Sequence, residues 1–84
     1  MTILIVEDEE SIREVQKAYL SRSGYTILEA EDGEEALSIF KKNKLDLVLL
    51  DLNLPIKNGI DVLLYIFIFI FTSQVLLFSY EELI

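Results

Sequence analysis

Apolar and charged residues alternate along this chain in blocks, and each block has the length of one secondary-structure element. Ile3-Leu4-Ile5-Val6 is a short run rich in β-branched residues that stops at Glu7, as expected of a strand covered on both faces within a parallel sheet. Over 9–23 the apolar positions Ile12, Val15, Tyr19 and Leu20 recur at helical spacing, acids crowd the first turn and Gly24 follows the last. A helix dipole favours the acids, and a left-handed terminal turn favours the glycine. Residues 25–30 read as a second strand and Glu31-Asp32-Gly33 as a turn. Ala36, Leu37, Ile39 and Phe40 then form the stripe of a second helix that closes on Lys41 and Lys42. A third strand spans 45–50 and ends at Asp51, and Pro55 with Asn58-Gly59 marks the loop beyond it.

Strands alternating with helices of this length predict right-handed crossovers, a parallel sheet and helices on both of its faces, an α/β fold. Open sheets of this kind carry their ligand sites just past the carboxyl ends of the strands, where Glu7, Asp8 and Asp51 stand. Farther on, the pattern predicts a third helix over 58–69, an exit turn at Thr72-Ser73-Gln74 and a fourth buried strand over 75–79. Residues 80–84 enter an element that the 84 residues do not finish.

The 52% apolar content is unevenly spread, because 62–71 is ten apolar residues in succession, and a helix lying on a sheet needs a polar outer face. A helix whose outer face meets a partner, a tail altered by truncation or a change of reading frame, and a membrane segment are the competing accounts. The last is disfavoured: the 17 residues of 62–78 fall short of the ~20 of a membrane span and lack flanking Lys or Arg. Alternating Ile and Phe over 66–71 favours β structure and makes this stretch an aggregation hazard when exposed.

Charge and composition exclude several classes of function. Fifteen acids against seven bases leave a net charge of −8, which repels phosphate backbones and anionic lipids, so direct nucleic-acid binding is not expected. Neither cysteine nor histidine occurs, which removes disulfides, Cys/His zinc sites, a thiol nucleophile and an imidazole base. The first residues lack a basic leader, and the cytoplasm is the expected compartment. One domain fills 84 residues, with little stability to spare.

Any chemistry must then run on carboxylates, hydroxyls and amines. If the first and third strands are adjacent, Glu7, Asp8 and Asp51 converge, and the repulsion among them falls when a divalent cation sits between them. Hard oxygen ligands with places left for water and phosphate oxygens suit Mg²⁺. A carboxylate beside Mg²⁺ can itself be the nucleophile of aspartyl-phosphate chemistry. The plainer alternatives are that Glu7 to Glu10 is a solvated acidic helix start and that Asp51 caps a loop.

Four fragments in this order, Ile3-Leu4-Ile5-Val6-Glu7-Asp8-Glu9, Glu31-Asp32-Gly33-Glu34-Glu35-Ala36-Leu37, Asp46-Leu47-Val48-Leu49-Leu50-Asp51-Leu52-Asn53-Leu54-Pro55 and Asn58-Gly59-Ile60-Asp61-Val62-Leu63, resemble the receiver domain of two-component response regulators. The likeness is close over residues 2–66. It implies a flavodoxin-like, doubly wound parallel sheet with strand order 2-1-3-4-5. It further implies a phosphate-accepting Asp51, and Mg²⁺ held by Glu7, Asp8, Asp51 and the main-chain carbonyl of Asn53. Pro55 and Gly59 match the family's loop after the third strand. Ser79, closing the apolar run 75–78, matches the hydroxyl that bonds the phosphoryl group, the alternative being a turn serine. The implied partner is a histidine kinase or phosphotransfer protein, and the chain is an acceptor rather than an enzyme.

The family's pattern continues with a fourth helix, a fifth strand bearing a lysine and a fifth helix, whereas the last cation here is Lys57, on a different loop. The expectation is therefore a partial receiver domain over 1–84, β1-α1-β2-α2-β3-α3-β4 without α4-β5-α5. It would be marginal in solution and prone to self-association through the open edge of the fourth strand and the apolar tail. Two rivals to a phosphoacceptor stand beside it. One is an inactive remnant acting as a protein or membrane interaction module; the other, weaker, is a Mg²⁺-dependent hydrolase using the same acids.

Overall fold

A computed structural model describes residues 1–51 in full and, of the remainder, the backbone of 76–80. The chain runs β1 (Thr2–Val6), α1 (Glu10–Arg22), β2 (Thr26–Ala30), α2 (Gly33–Lys42), β3 (Leu47–Asp51) and β4 (Leu76–Tyr80). The helix expected over 58–69, the turn at 72–74, and Asn53, Pro55, Lys57 and Gly59 lie outside the described residues, as does the apolar stretch 62–71.

The four strands form one parallel sheet in the order β2-β1-β3-β4, which agrees with the doubly wound arrangement expected. Ala30, Val6, Leu50 and Ser79 are aligned across it in a single row. Leu4, Val6, Ala30, Val48 and Leu50 pack with Leu45 and with Ala36 and Phe40 of α2 into the main core. Ile3 and Ile5 are equally buried and, by the two-residue period of a strand, point to the opposite face. On that face Arg13 of α1 reaches Glu29 of β2. β1 is thus covered on both sides, as its unbroken apolar run requires, and each such aliphatic side chain contributes about 1.5–3 kcal/mol through burial.

Both helices are stopped by chemistry visible in the sequence. After α1 the amide of Gly24 donates to the Ser21 carbonyl and that of Tyr25 to the Leu20 carbonyl, with Gly24 at φ +90°. This pair of reverse-turn bonds favours glycine. Before α2 the Asp32 carboxylate accepts from the Glu35 amide at 2.8 Å, while the Glu35 carboxylate accepts from the Glu31 amide at 3.2 Å. The exchange satisfies one amide of the first turn that a helix start leaves unpaired, and one just ahead of the cap.

Three details differ from expectation. Val15 and Tyr19 are exposed, at 56% and 67%; α1 turns Arg13 inward instead, with Ile12, Gln16 and Leu20 half-buried. The third strand begins at Leu47 rather than 45. Asp46 is occupied in a two-way clasp with Thr2, accepting from its amide on the side chain at 2.7 Å and donating to its carbonyl at 2.9 Å, and Leu45 is buried ahead of the ladder. Asp51 is the last residue of its strand rather than the first beyond it, and β4 starts and ends one residue late.

Candidate functional site

Adjacent parallel strands β1 and β3 end level with one another, Val6 beside Leu50. Their next residues, Glu7 and Asp51, therefore emerge together at the carboxyl rim. Each has an apolar strand behind it, which explains the depth of both side chains: Glu7 is 0% exposed and Asp51 2%. Asp8, one residue farther from β1, is exposed.

One carboxylate oxygen from each of Glu7, Asp8 and Asp51 lies within 4.8 Å of the others. That spread is close to the roughly 4.2 Å separating opposite ligands of an octahedron with about 2.1 Å metal–oxygen bonds. The donor set is all oxygen and anionic, and one member is open to solvent. These residues fit a hard divalent cation that keeps water in part of its shell.

Glu7 is fixed at three points. Its amide donates to the Ala30 carbonyl at 3.0 Å. Its carbonyl accepts from Arg13 Nη1 at 2.8 Å, and its Oε2 accepts from the Glu9 amide at 3.1 Å. Glu9 precedes α1, so the Glu7 carboxylate also meets the positive end of that helix. Arg13 is the residue that pattern reading missed. The available signal was a cation early in a helix, among acids and on the face that carries Leu20, in a place where the dipole disfavours it.

Of the other site residues expected from the sequence, Ser79 is placed by its backbone beside Leu50, one row short of Asp51, and its side chain lies outside the described residues, as does Asn53. A separate open depression of roughly 390 Å³ is lined by Arg13, Ile27, Leu28, Glu29, Glu31 and Glu35; it contains none of the three clustered acids. Among the described residues, no helix is long and apolar enough to cross a membrane.

Fold and rim together define a doubly wound α/β domain of the flavodoxin-like kind, with an acidic pocket at the carboxyl ends of its central strands. The model of the response regulator receiver domain matches residues 3–82, and the chain belongs to that family, the receiver domains of two-component systems. It is 43% identical over 60 residues to the autoinducer 1 sensor kinase/phosphatase LuxN of Vibrio campbellii, covering 71% of this chain and 7% of LuxN. It is 50% identical over 60 residues to the alkaline phosphatase synthesis transcriptional regulatory protein PhoP of Bacillus subtilis, covering 71% of this chain and 25% of PhoP. Among solved structures, the response regulator TrrA of Thermotoga maritima, in complex with Mg²⁺ and BeF, superposes with a TM-score of 0.70 at 38% identity, covering 95% of this chain and 64% of TrrA. The chain thus spans a small part of the curated relatives it matches.

Proposed function

We propose that this chain accepts a phosphoryl group on Asp51 from the phosphohistidine of a histidine kinase or phosphotransfer protein. Glu7, Asp8, Asp51 and the Asn53 carbonyl are the groups that would hold Mg²⁺ beside it. The convergence of three carboxylates within 4.8 Å at the rim of the sheet carries this reading. A Mg²⁺ and BeF complex of the Thermotoga relative supports it, because beryllium fluoride mimics a phosphoryl group.

A carboxylate oxygen of Asp51 attacks phosphorus while the bond from phosphorus to the donor nitrogen breaks. The freed imidazole keeps the electron pair and takes a proton from solvent, leaving an acyl phosphate on Asp51. A divalent cation held there would supply charge compensation between the incoming phosphoryl oxygens and the pocket. Glu7 and Asp8 would anchor the cation, and Ser79, on the neighbouring strand, is the proposed hydroxyl that donates to a phosphoryl oxygen. The chain is a stoichiometric acceptor, not an enzyme with a substrate of its own, and it works in the cytoplasm, where ATP charges the donor histidine. Phosphorylation shifts a two-state equilibrium of the domain that a partner protein reads.

Incubation with acetyl phosphate and Mg²⁺, followed by intact mass measurement, is expected to add one phosphoryl group to the wild type and none to Asp51→Asn. Folded wild-type protein that stays unmodified and does not respond to beryllofluoride would overturn the proposal in favour of an interaction module. Turnover above the spontaneous loss of acetyl phosphate would instead mark a hydrolase.

A further inference from the structure

Arg13 is only 9% exposed, and it sits near the N-terminal end of α1, where the helix dipole works against a cation. Its guanidinium accordingly meets three partners. Nη1 donates to the Glu7 carbonyl at 2.8 Å, Nε faces Glu29 Oε1 at 3.5 Å and Nη2 faces Glu31 Oε1 at 3.6 Å. The acids that balance its charge belong to β2 and the turn after it, not to the pocket. Toward the pocket Arg13 offers a hydrogen bond to main chain, at the residue whose side chain is one of the three converging carboxylates.

Resting on the metal-pocket reading above, we infer that Arg13 is a positioning residue for cation binding. It pins the Glu7–Asp8 peptide at its carbonyl from the α1 side, while Ala30 of β2 holds the Val6–Glu7 peptide at its amide. The two bonds fix the direction in which Glu7 and Asp8 leave β1. Because Glu29 and Glu31 engage the guanidinium, the pocket keeps its negative charge for the metal. Outer partners that orient metal ligands typically change affinity by about 10- to 100-fold when removed.

The test is a Mg²⁺ titration of the full chain followed by the amide resonances of Glu7, Asp8 and Glu9, with hydrogen exchange at the Glu9 amide in metal-free protein as a second readout. Arg13→Met is expected to weaken Mg²⁺ binding about tenfold and to speed exchange at Glu9, whose amide is held by the Glu7 carboxylate. Arg13→Lys, with one donor group and the same charge, is expected to recover part of the loss. Lys17→Met, which removes a different partner of Glu29 on the same helix, is expected to leave the affinity unchanged. If Arg13→Met does not fold, Arg13→Gln, too short to span to the Glu7 carbonyl, is read by the same two measurements. A folded variant that binds Mg²⁺ as the wild type does overturns the role of Arg13 alone. A wild type that binds neither Mg²⁺ nor beryllofluoride overturns the pocket and this inference together.

Discussion

Glu7 and Asp51 are buried carboxylates whose oxygens, with one from Asp8, lie within 4.8 Å of each other. Two unit charges at about 5 Å repel by about 3 kcal/mol at an effective dielectric of about 20, and solvent around the exposed Asp8 screens part of its share. Asp51→Asn keeps the shape and removes one charge, so it should stabilise the metal-free chain by about 1–2 kcal/mol while abolishing most of the stabilisation expected from the proposed Mg²⁺. Thermal melts in chelator and in Mg²⁺ check both signs at once; a variant that melts lower than wild type in chelator would contradict the repulsion. At this scale much was legible. Asp51 was marked by the apolar strand that ends on it, and Glu7 and Asp8 by the same logic on β1. Arg13 was not, because period counting assigns inward positions to apolar residues. Here the inward position serves a carbonyl and two acids, while Val15 and Tyr19 are left outside.

The elements hold their ends through single side chains, and these ends are where substitutions tell. Asp32 receives the Glu35 amide at 2.8 Å at the start of α2, so Asp32→Ala is expected to cost about 1 kcal/mol. Chemical denaturation should show it as a lower midpoint with an unchanged slope. The turn after α1 and the basic end of α2 were readable because Gly24, Lys41 and Lys42 answer local needs of a helix terminus. Strand starts were less so: Leu45 is apolar and buried, yet the ladder opens only at Leu47, since Asp46 spends its side chain and amide on Thr2. Such a clasp pairs residues far apart in the chain, and no local pattern announces it.

For the molecule as a whole, the sheet order leaves β2 and β4 at the two flanks, each with one hydrogen-bonded neighbour among the described residues. An unpaired strand edge invites pairing with another copy. The 84-residue chain taken by itself is therefore expected to self-associate as its concentration rises, checked by sedimentation velocity across a wide concentration range. A compact monomer with a sharp thermal transition throughout would count against it. The parallel order followed from alternating strands and helices, while the depth of the rim acids emerged only once β1 and β3 lay side by side.

The alignment of Ala30, Val6, Leu50 and Ser79 in one row also sets where length can change. One residue inserted within Leu47–Asp51 would push the final aspartate about 3.3 Å along and turn it to the other side of the pleat. The same insertion around Asn43, between α2 and β3, would be taken up as slack. Indels are thus tolerable in the connections and ruinous inside the ladder, and anyone splicing this chain into a chimera should cut between elements, never through them.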